Sequence, residues 1–187
     1  MNNGLVSYEG LCALVEHGVI TDVPHEHING ASIDVRLGYD VLVERAAGRT
    51  VSLRDREQLS MDRFKLDGTG YLLAPGEFIL AHTIEMFNLP NNIVCDFKLK
   101  SSSARMGLNH ALAGWADPGW NGSSLTLELY NINRHHPIIL RPGDRIGQML
   151  FYRVDPVPEN RSYATRGRYN NDAGVQQAKV NPEGGEQ

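Results

Sequence analysis

At 187 residues and 41% apolar content, the chain is long enough for one domain, spanning 1–187, with a real hydrophobic core. Its 22 acidic and 18 basic side chains leave a net charge of −4, which gives no electrostatic footprint for nucleic acid. No apolar run approaches the roughly 18–20 residues a membrane span needs. The opening MNNGLVSYEG has no basic region followed by an apolar one, so a soluble, cytoplasmic protein is expected.

In chain order, Leu11, Leu14 and Val15 fall at helical spacing, which predicts a packing helix over 8–17 that stops at Gly18. Cys12 in that helix and Cys95 in a later strand read as buried thiols rather than a disulfide. His25 and His27 lie in a polar loop led by Pro24 with no third ligand at useful spacing, so they read as surface histidines. Ile33, Val35 and Leu37 alternate with Ser32, Asp34 and Arg36, and Val41-Leu42-Val43 continues as a second strand. Residues 45–70 are charged and irregular, an excursion between strands. Strands are predicted again at 71–74, 77–82, 93–100, 124–131, 136–141 and 145–153, with Pro75-Gly76 and Pro142-Gly143 as punctuation. Many short strands with one or two helices describe an all-β sandwich or barrel.

Residues 93–131 concentrate the polar chemistry. Ile93, Cys95, Phe97 and Leu99 alternate with Val94, Asp96, Lys98 and Lys100, as in a strand buried on one side. Ser101-Ser102-Ser103-Ala104-Arg105-Met106-Gly107 follows. Ser101 or Ser102 is placed to cap a short helical turn ending near Gly107. The N–H groups at such a start form an anion site, with Lys100 and Arg105 beside it. Asp117-Pro118-Gly119-Trp120 marks a tight turn. Leu125, Leu127 and Leu129 then alternate with Thr126, Glu128 and Tyr130, so Glu128 projects from the polar face of a strand. Singly, such serines are ordinarily caps and such a glutamate is ordinarily solvated. Their grouping between two apolar alternations points to a site.

After Pro158 the composition turns to Asn, Arg, Tyr, Gly and Gln. Residues 1–158 therefore read as a β core with an N-terminal helix, and 159–187 as a tail that is mobile when free.

The ordered motifs Lys100-Ser101-Ser102-Ser103-Ala104-Arg105-Met106-Gly107-Leu108, Asp117-Pro118-Gly119-Trp120 and Leu127-Glu128-Leu129-Tyr130-Asn131 resemble the signatures of the dCTP deaminases. Asn29-Gly30-Ala31-Ser32-Ile33-Asp34-Val35-Arg36-Leu37-Gly38, Leu73-Ala74-Pro75-Gly76-Glu77 and Arg141-Pro142-Gly143-Asp144-Arg145-Ile146-Gly147-Gln148 extend the resemblance over most of the chain. It implies the fold that this family shares with trimeric dUTPases: mainly β, a distorted barrel or jelly roll with one or two short helices and a flexible C-terminal lid. It also implies a homotrimer with sites between subunits, dCTP as substrate and dTTP as feedback inhibitor.

A zinc nucleobase deaminase needs a His/Cys ligand set, and no two cysteines here are near one another. The resemblance implies a zinc-free reaction. Glu128 is the general base and later the acid, Ser101 helps hold the water, and Arg105 orients Glu128. Lys100, the 101–105 turn (Ser101, Ser102, Ser103, Ala104, Arg105), Gln148, Tyr163 and Arg168 face the triphosphate, with Mg²⁺ bridging its oxygens. Asp117 falls where the family's turn contacts the deoxyribose, and Thr126, Leu127 and Glu128 lie along base and sugar. Tyr163, Arg168, Tyr169 and Gly174 resemble the lid, with Asp172 among them.

Three features depart from the family pattern. Arg168-Tyr169 stands for Lys-Tyr, which keeps the charge and changes its geometry. Asp172 stands for a Gln. The chain is one residue short between Leu108 and Asp117 and one long between Trp120 and Glu128. The leading expectation is hydrolytic deamination of dCTP to dUTP, feeding dUMP and dTTP synthesis, as Ala104 resembles the monofunctional branch. The alternative is a bifunctional enzyme that carries dUTP on to dUMP and pyrophosphate. His110-x-x-Ala113-Gly114-Trp115-x-Asp117 and Gln148 resemble that branch. A non-catalytic nucleotide-binding protein on the same fold stands as a third reading.

Overall fold

The period-two alternations become strands, and a computed structural model describes residues 3–54 and 56–180. In chain order the elements are β1 (Gly4–Leu5), α1 (Tyr8–Glu16), β2 (Ile33–Arg36), β3 (Asp40–Glu44), β4 (Met61–Lys65), β5 (Tyr71–Leu73), β6 (Phe78–Asn88) and β7 (Ile93–Leu99). Then follow α2 (Ser101–Arg105), β8 (Leu108–His110), β9 (Trp115–Ala116), β10 (Asn121–Asn131), β11 (Ile138–Leu140), β12 (Arg145–Arg153) and α3 (Tyr163–Arg166). One sheet runs β1-β12-β7-β9 with β2 also on β12, a second runs β4-β3-β6-β10-β8, and β11 pairs with β5. The protein is mainly β, as expected, and its sheets pack around a core rather than closing into one barrel.

The inner faces meet where the sequence places its apolar residues. Leu125, Leu127 and Leu129 of β10, Ile79 and Ala81 of β6, Phe97 of β7, and Met149 and Phe151 of β12 share one buried cluster. α1 adds Leu11 and Leu14, and Gly18 at φ 70° lets the chain leave the helix in a conformation that suits glycine. Burial pushes the pKa of the Cys95 thiol up, as suits a packing residue. Among the described residues no helix is long and apolar enough to cross a membrane.

Two expectations are corrected. The 45–70 excursion contains β4, which pairs residue by residue with β3, from Asp40 opposite Lys65 to Glu44 opposite Met61. Its charged, exposed edge shows no apolar alternation, so the sequence signal is missing. β6 runs to Asn88 rather than 82, because residues 79–83 are buried on both faces and alternation disappears. β10 shifts register against β6 between Asn121 and Ser123 and again between Ser124 and Thr126. A bulge absorbs an extra residue, and these lie in the stretch between Trp120 and Glu128 where one extra residue is expected.

Candidate active site

β10 positions Glu128. With Leu127 and Leu129 in the core, Thr126 and Glu128 emerge on the opposite face, across from His82 and Leu80 of β6. On the other side β8 pairs Leu129 with His110. The His110 side chain is only 4% exposed and its ring centroid lies 4.7 Å from that of Phe97. Its Nε2 sits 3.2 Å from Oε2 of Glu128, whose side chain is 26% exposed. Neither atom has a well-aligned hydrogen bond, so the contact is close but not in line. A half-buried carboxylate beside a buried imidazole is a suitable arrangement for moving a proton.

Above this face lies a cavity of about 410 Å³. Its lining includes Thr126 and Glu128 from β10, Phe78 and Leu80 from β6, Trp115 and Trp120 near the turn, and Tyr163, Tyr169, Asp172 and Gln176 from the tail. Five of the sequence-predicted residues, Thr126, Glu128, Tyr163, Tyr169 and Asp172, thus meet in one place. Burial raises the Tyr163 pKa, so its phenol stays protonated, and its oxygen lies 3.3 Å from the Tyr169 amide as acceptor. Leu127 is wholly in the core, so its side chain cannot face the cavity. Asp117 is exposed, accepts from Trp115 Nε1 at 2.9 Å, and does not line the cavity.

The tail has specific partners along this wall. Trp120, stacked on Phe87, donates Nε1–H to the Tyr169 carbonyl at 2.7 Å, and Ser123 Oγ–H donates to the same carbonyl at 2.7 Å. The Asn121 amide donates to Asn170 Oδ1 at 3.0 Å, and its carbonyl accepts from the Asn171 amide at 3.0 Å. Gly119, at φ 90°, has no room for a side chain where Ser162 crosses it. Lys179 Nζ lies 2.6 Å from Asp172 Oδ2, bonds the Arg168 carbonyl at 2.6 Å, and stands 5.3 Å above the Tyr169 ring. Over 159–180 the tail thus has specific contacts to the core, most of them made by polar side chains. Residues 181–187 lie outside the described residues.

The remaining predicted residues gather elsewhere. The buried Asp34 carboxylate, 2% exposed, accepts Lys100 Nζ on both oxygens at 2.7 Å, Asn29 Nδ2 at 3.0 Å and Arg145 at 3.4 Å. Gln148, opposite Asp34 in the β2–β12 ladder, accepts from Ser32 Oγ at 3.3 Å. Two cations and one carboxylate leave a single surplus positive charge, suited to an anion. Lys100, rather than Ser101 or Ser102, occupies the N-cap of α2, and no side chain there bonds the helix start. The cause is local: Lys100 is still tied to the sheet through its amide on the Ile146 carbonyl. Ser101, Ser102, Ala104 and Arg105 are exposed and Ser103 is half-buried. Among the described residues no hydrogen bond or ion pair engages the Arg105 guanidinium. None of residues 100–105, Gln148 or Arg168 lines the Glu128 cavity.

The dCTP deaminase-like family matches residues 7–154. The chain belongs to that family. A "dCTP deaminase, dUMP-forming" of Dictyoglomus turgidum is 39% identical over 173 residues, covering 90% of this chain and 87% of the relative. One of Methanosphaerula palustris, with the same name, is 35% identical over 144 residues, covering 75% and 76%. The crystal structure of 2'-deoxycytidine 5'-triphosphate deaminase from Agrobacterium tumefaciens superposes with a TM-score of 0.65 at 24% identity, over 82% of this chain and 49% of that one. It supports the fold.

Sequence reasoning gave no role to Asp34, His110 or the Leu59–Met61 wall of the cavity. Asp34 sits on the polar side of a clean alternation, where its burial leaves no signal. His110 was visible only as part of a motif. Leu59 and Met61 lie in the stretch whose strand was not legible.

Proposed function

We propose that this dCTP deaminase-like chain deaminates dCTP and hydrolyses the resulting dUTP to dUMP and pyrophosphate. The observation that carries the deamination is Glu128: a half-buried carboxylate, in contact with a buried histidine, at the base of a cavity that also presents Thr126 and Tyr163. Ala104 resembles the branch that releases dUTP. The relatives named as dUMP-forming, at up to 39% identity, favour the second step as well.

In the first step Glu128 takes a proton from water as its oxygen attacks C4 of cytosine and delivers it to N3, then carries the proton of the new C4 hydroxyl to the amine as the C4–N bond breaks and ammonia leaves. Ser101 holds the water and Arg105 orients Glu128 against the developing charge. In the second, water attacks the α-phosphorus and pyrophosphate leaves. The Lys100–Asp34–Arg145 group, the α2 start and Gln148 meet the phosphates. Mg²⁺ would come with the nucleotide and neutralise charge on its phosphates, since among the described residues no group of three or more His, Cys, Asp or Glu could hold it. Because Glu128 and the α2 residues occupy separate places on one chain, the complete site is proposed to form between subunits of a homotrimer. The tail closes it over the nucleotide and excludes bulk water.

The test is to incubate the purified protein with dCTP and Mg²⁺ and resolve ammonia, dUTP, dUMP and pyrophosphate, with parallel reactions in chelator and with dUTP as substrate. The expected result is ammonia with dUMP and pyrophosphate, no build-up of dUTP, and turnover that falls when Mg²⁺ is removed. Accumulating dUTP would mean a monofunctional enzyme. Tight dCTP binding without ammonia would favour the non-catalytic reading.

A further inference from the structure

Residues 172–176 lie beside β10 without joining its sheet, and their N–H groups land on hydroxyls at every second position. Asp172 donates to Ser123 Oγ at 3.1 Å, Gly174 to Ser124 Oγ at 2.9 Å, and Gln176 to Thr126 Oγ1 at 3.2 Å. The two register shifts of β10 fall on either side of this Ser123–Ser124 pair. Val175 stands within this ladder and is completely buried, in a small apolar cluster with Leu42, Leu80, Met61 and Phe78 that is separate from the main core. It is the one buried side chain among residues 163–180. Its carbonyl accepts from Arg63 at 3.1 Å, and Arg63 also pairs with Asp40 at 2.8 Å. Gln58 donates to the Ala178 carbonyl at 3.2 Å. The β3–β4 hairpin and β6 together form a receptor for the end of the chain.

We infer that Val175 is a positioning residue: an apolar plug that seats the C-terminal strap on its own subunit before nucleotide arrives, and so holds Asp172 and Gln176 at the wall of the Glu128 cavity. Hydroxyl-to-amide bonds set the register, but water competes for them in the free segment. Apolar burial is the interaction that water opposes least. Gly174, at φ 77°, lets both its amide and its carbonyl approach Ser124 Oγ while the next residue turns inward. Val175 itself does not line the cavity, so its effect passes through its neighbours. The kinetic consequence rests on the proposed reaction, whereas the anchoring does not.

The experiment compares full-length protein with Val175→Asp, Val175→Ser and Val175→Ile. Limited proteolysis without nucleotide reports the strap, thermal melting reports the core, and dCTP kinetics report the site. Losing a buried valine is expected to speed cleavage within 164–180 by roughly tenfold or more in the Asp and Ser variants. Melting should stay as in the parent, and KM for dCTP should rise by more than kcat falls. Val175→Ile should restore both. If the Asp variant fails to fold, the Ser variant carries the test. Unchanged cleavage in the Ser variant overturns the anchor, and so does a drop in core melting that accounts for the faster cleavage. Faster cleavage with unchanged KM overturns the positioning role. Absence of ammonia release from the parent protein counts against the proposed reaction instead, and leaves the cleavage result to decide the anchor.

Discussion

Glu128 and Lys100 are expected to face one nucleotide, yet the chain treats them in opposite ways. Glu128 is enclosed: β6 and β8 flank it, His110 touches it, and the chain's own tail roofs the cavity. Lys100 stands at the start of an exposed five-residue helix, its charge largely matched by the buried Asp34. The first region is preorganised by the subunit that owns it. The second offers donors outward, with Arg105 reaching no partner among the described residues. The difference teaches that the carboxylate half is a pocket and the α2 half a surface, which is why the proposed site is one that a neighbouring copy would complete.

The largest expected effect breaks the carboxylate half. Glu128→Gln keeps the shape and removes the base, so ammonia release should fall by roughly 10²–10⁴-fold while dCTP binding persists. Near-normal turnover in that variant would take Glu128 out of the chemistry.

Next, mixing subunits tests how the halves combine. Glu128→Gln and Arg105→Ala trimers, each inactive, should recover up to about one quarter of sites after random exchange if the halves meet across an interface. Glu128→Gln mixed with chains truncated after Pro158 should recover far less, because tail and Glu128 belong to the same cavity of one chain. Equal recovery in both mixtures would show that the tail serves a neighbour's carboxylate. An active monomer on a sizing column would dispose of shared sites altogether.

A smaller effect concerns the hydroxyl ladder. Ser124→Ala removes one acceptor from the strap, worth about 1 kcal/mol, so KM for dCTP should rise several-fold with kcat little changed. Steady-state kinetics that match the parent would mean the ladder contributes nothing to closure.

The smallest is a pH dependence on the pocket side. His82 lies opposite Thr126, its Nδ1 2.9 Å from the Thr83 carbonyl and its Nε2 3.9 Å from Asp40. Burial lowers its pKa below the ordinary 6.5, with Arg63 adding to that and the Thr83 carbonyl and Asp40 opposing it. A depressed folded pKa means that the unfolded chain takes up the proton first as pH falls. Stability from this residue is therefore fully present above about 6.5 and declines as pH drops toward the folded value. Urea midpoints measured from pH 7 to pH 5 should fall in the parent and fall less in His82→Gln. Parallel profiles would exclude His82 as the cause.

Much of the fold was legible because its signals are local. Alternation located β7, β10 and β12 to within a few residues, and glycine and proline located the turns. It failed at β4, an exposed edge, and at β6, covered on both faces, for the two opposite reasons that erase a period of two. At the site, the motif residues Thr126, Glu128, Tyr163 and Asp172 were readable and do converge. The separation of Lys100, Ser101, Arg105 and Gln148 from them was not, since motif order carries no distances.

The sequence by itself determined which polar residues are candidates for the chemistry, which faces of strands are apolar, and where the chain turns, because each is written in residues a few positions apart. Tertiary structure alone decided the pairings. Lys100 finds Asp34 across 66 positions, and the Val175 carbonyl finds Arg63 across 112. A buried carboxylate accepts whichever cations the sheet register brings to it, and an apolar side chain fills whichever gap the packed strands leave. Those choices are made by the folded surface, which is why a tail of polar composition meets the core at positions that its own sequence does not reveal.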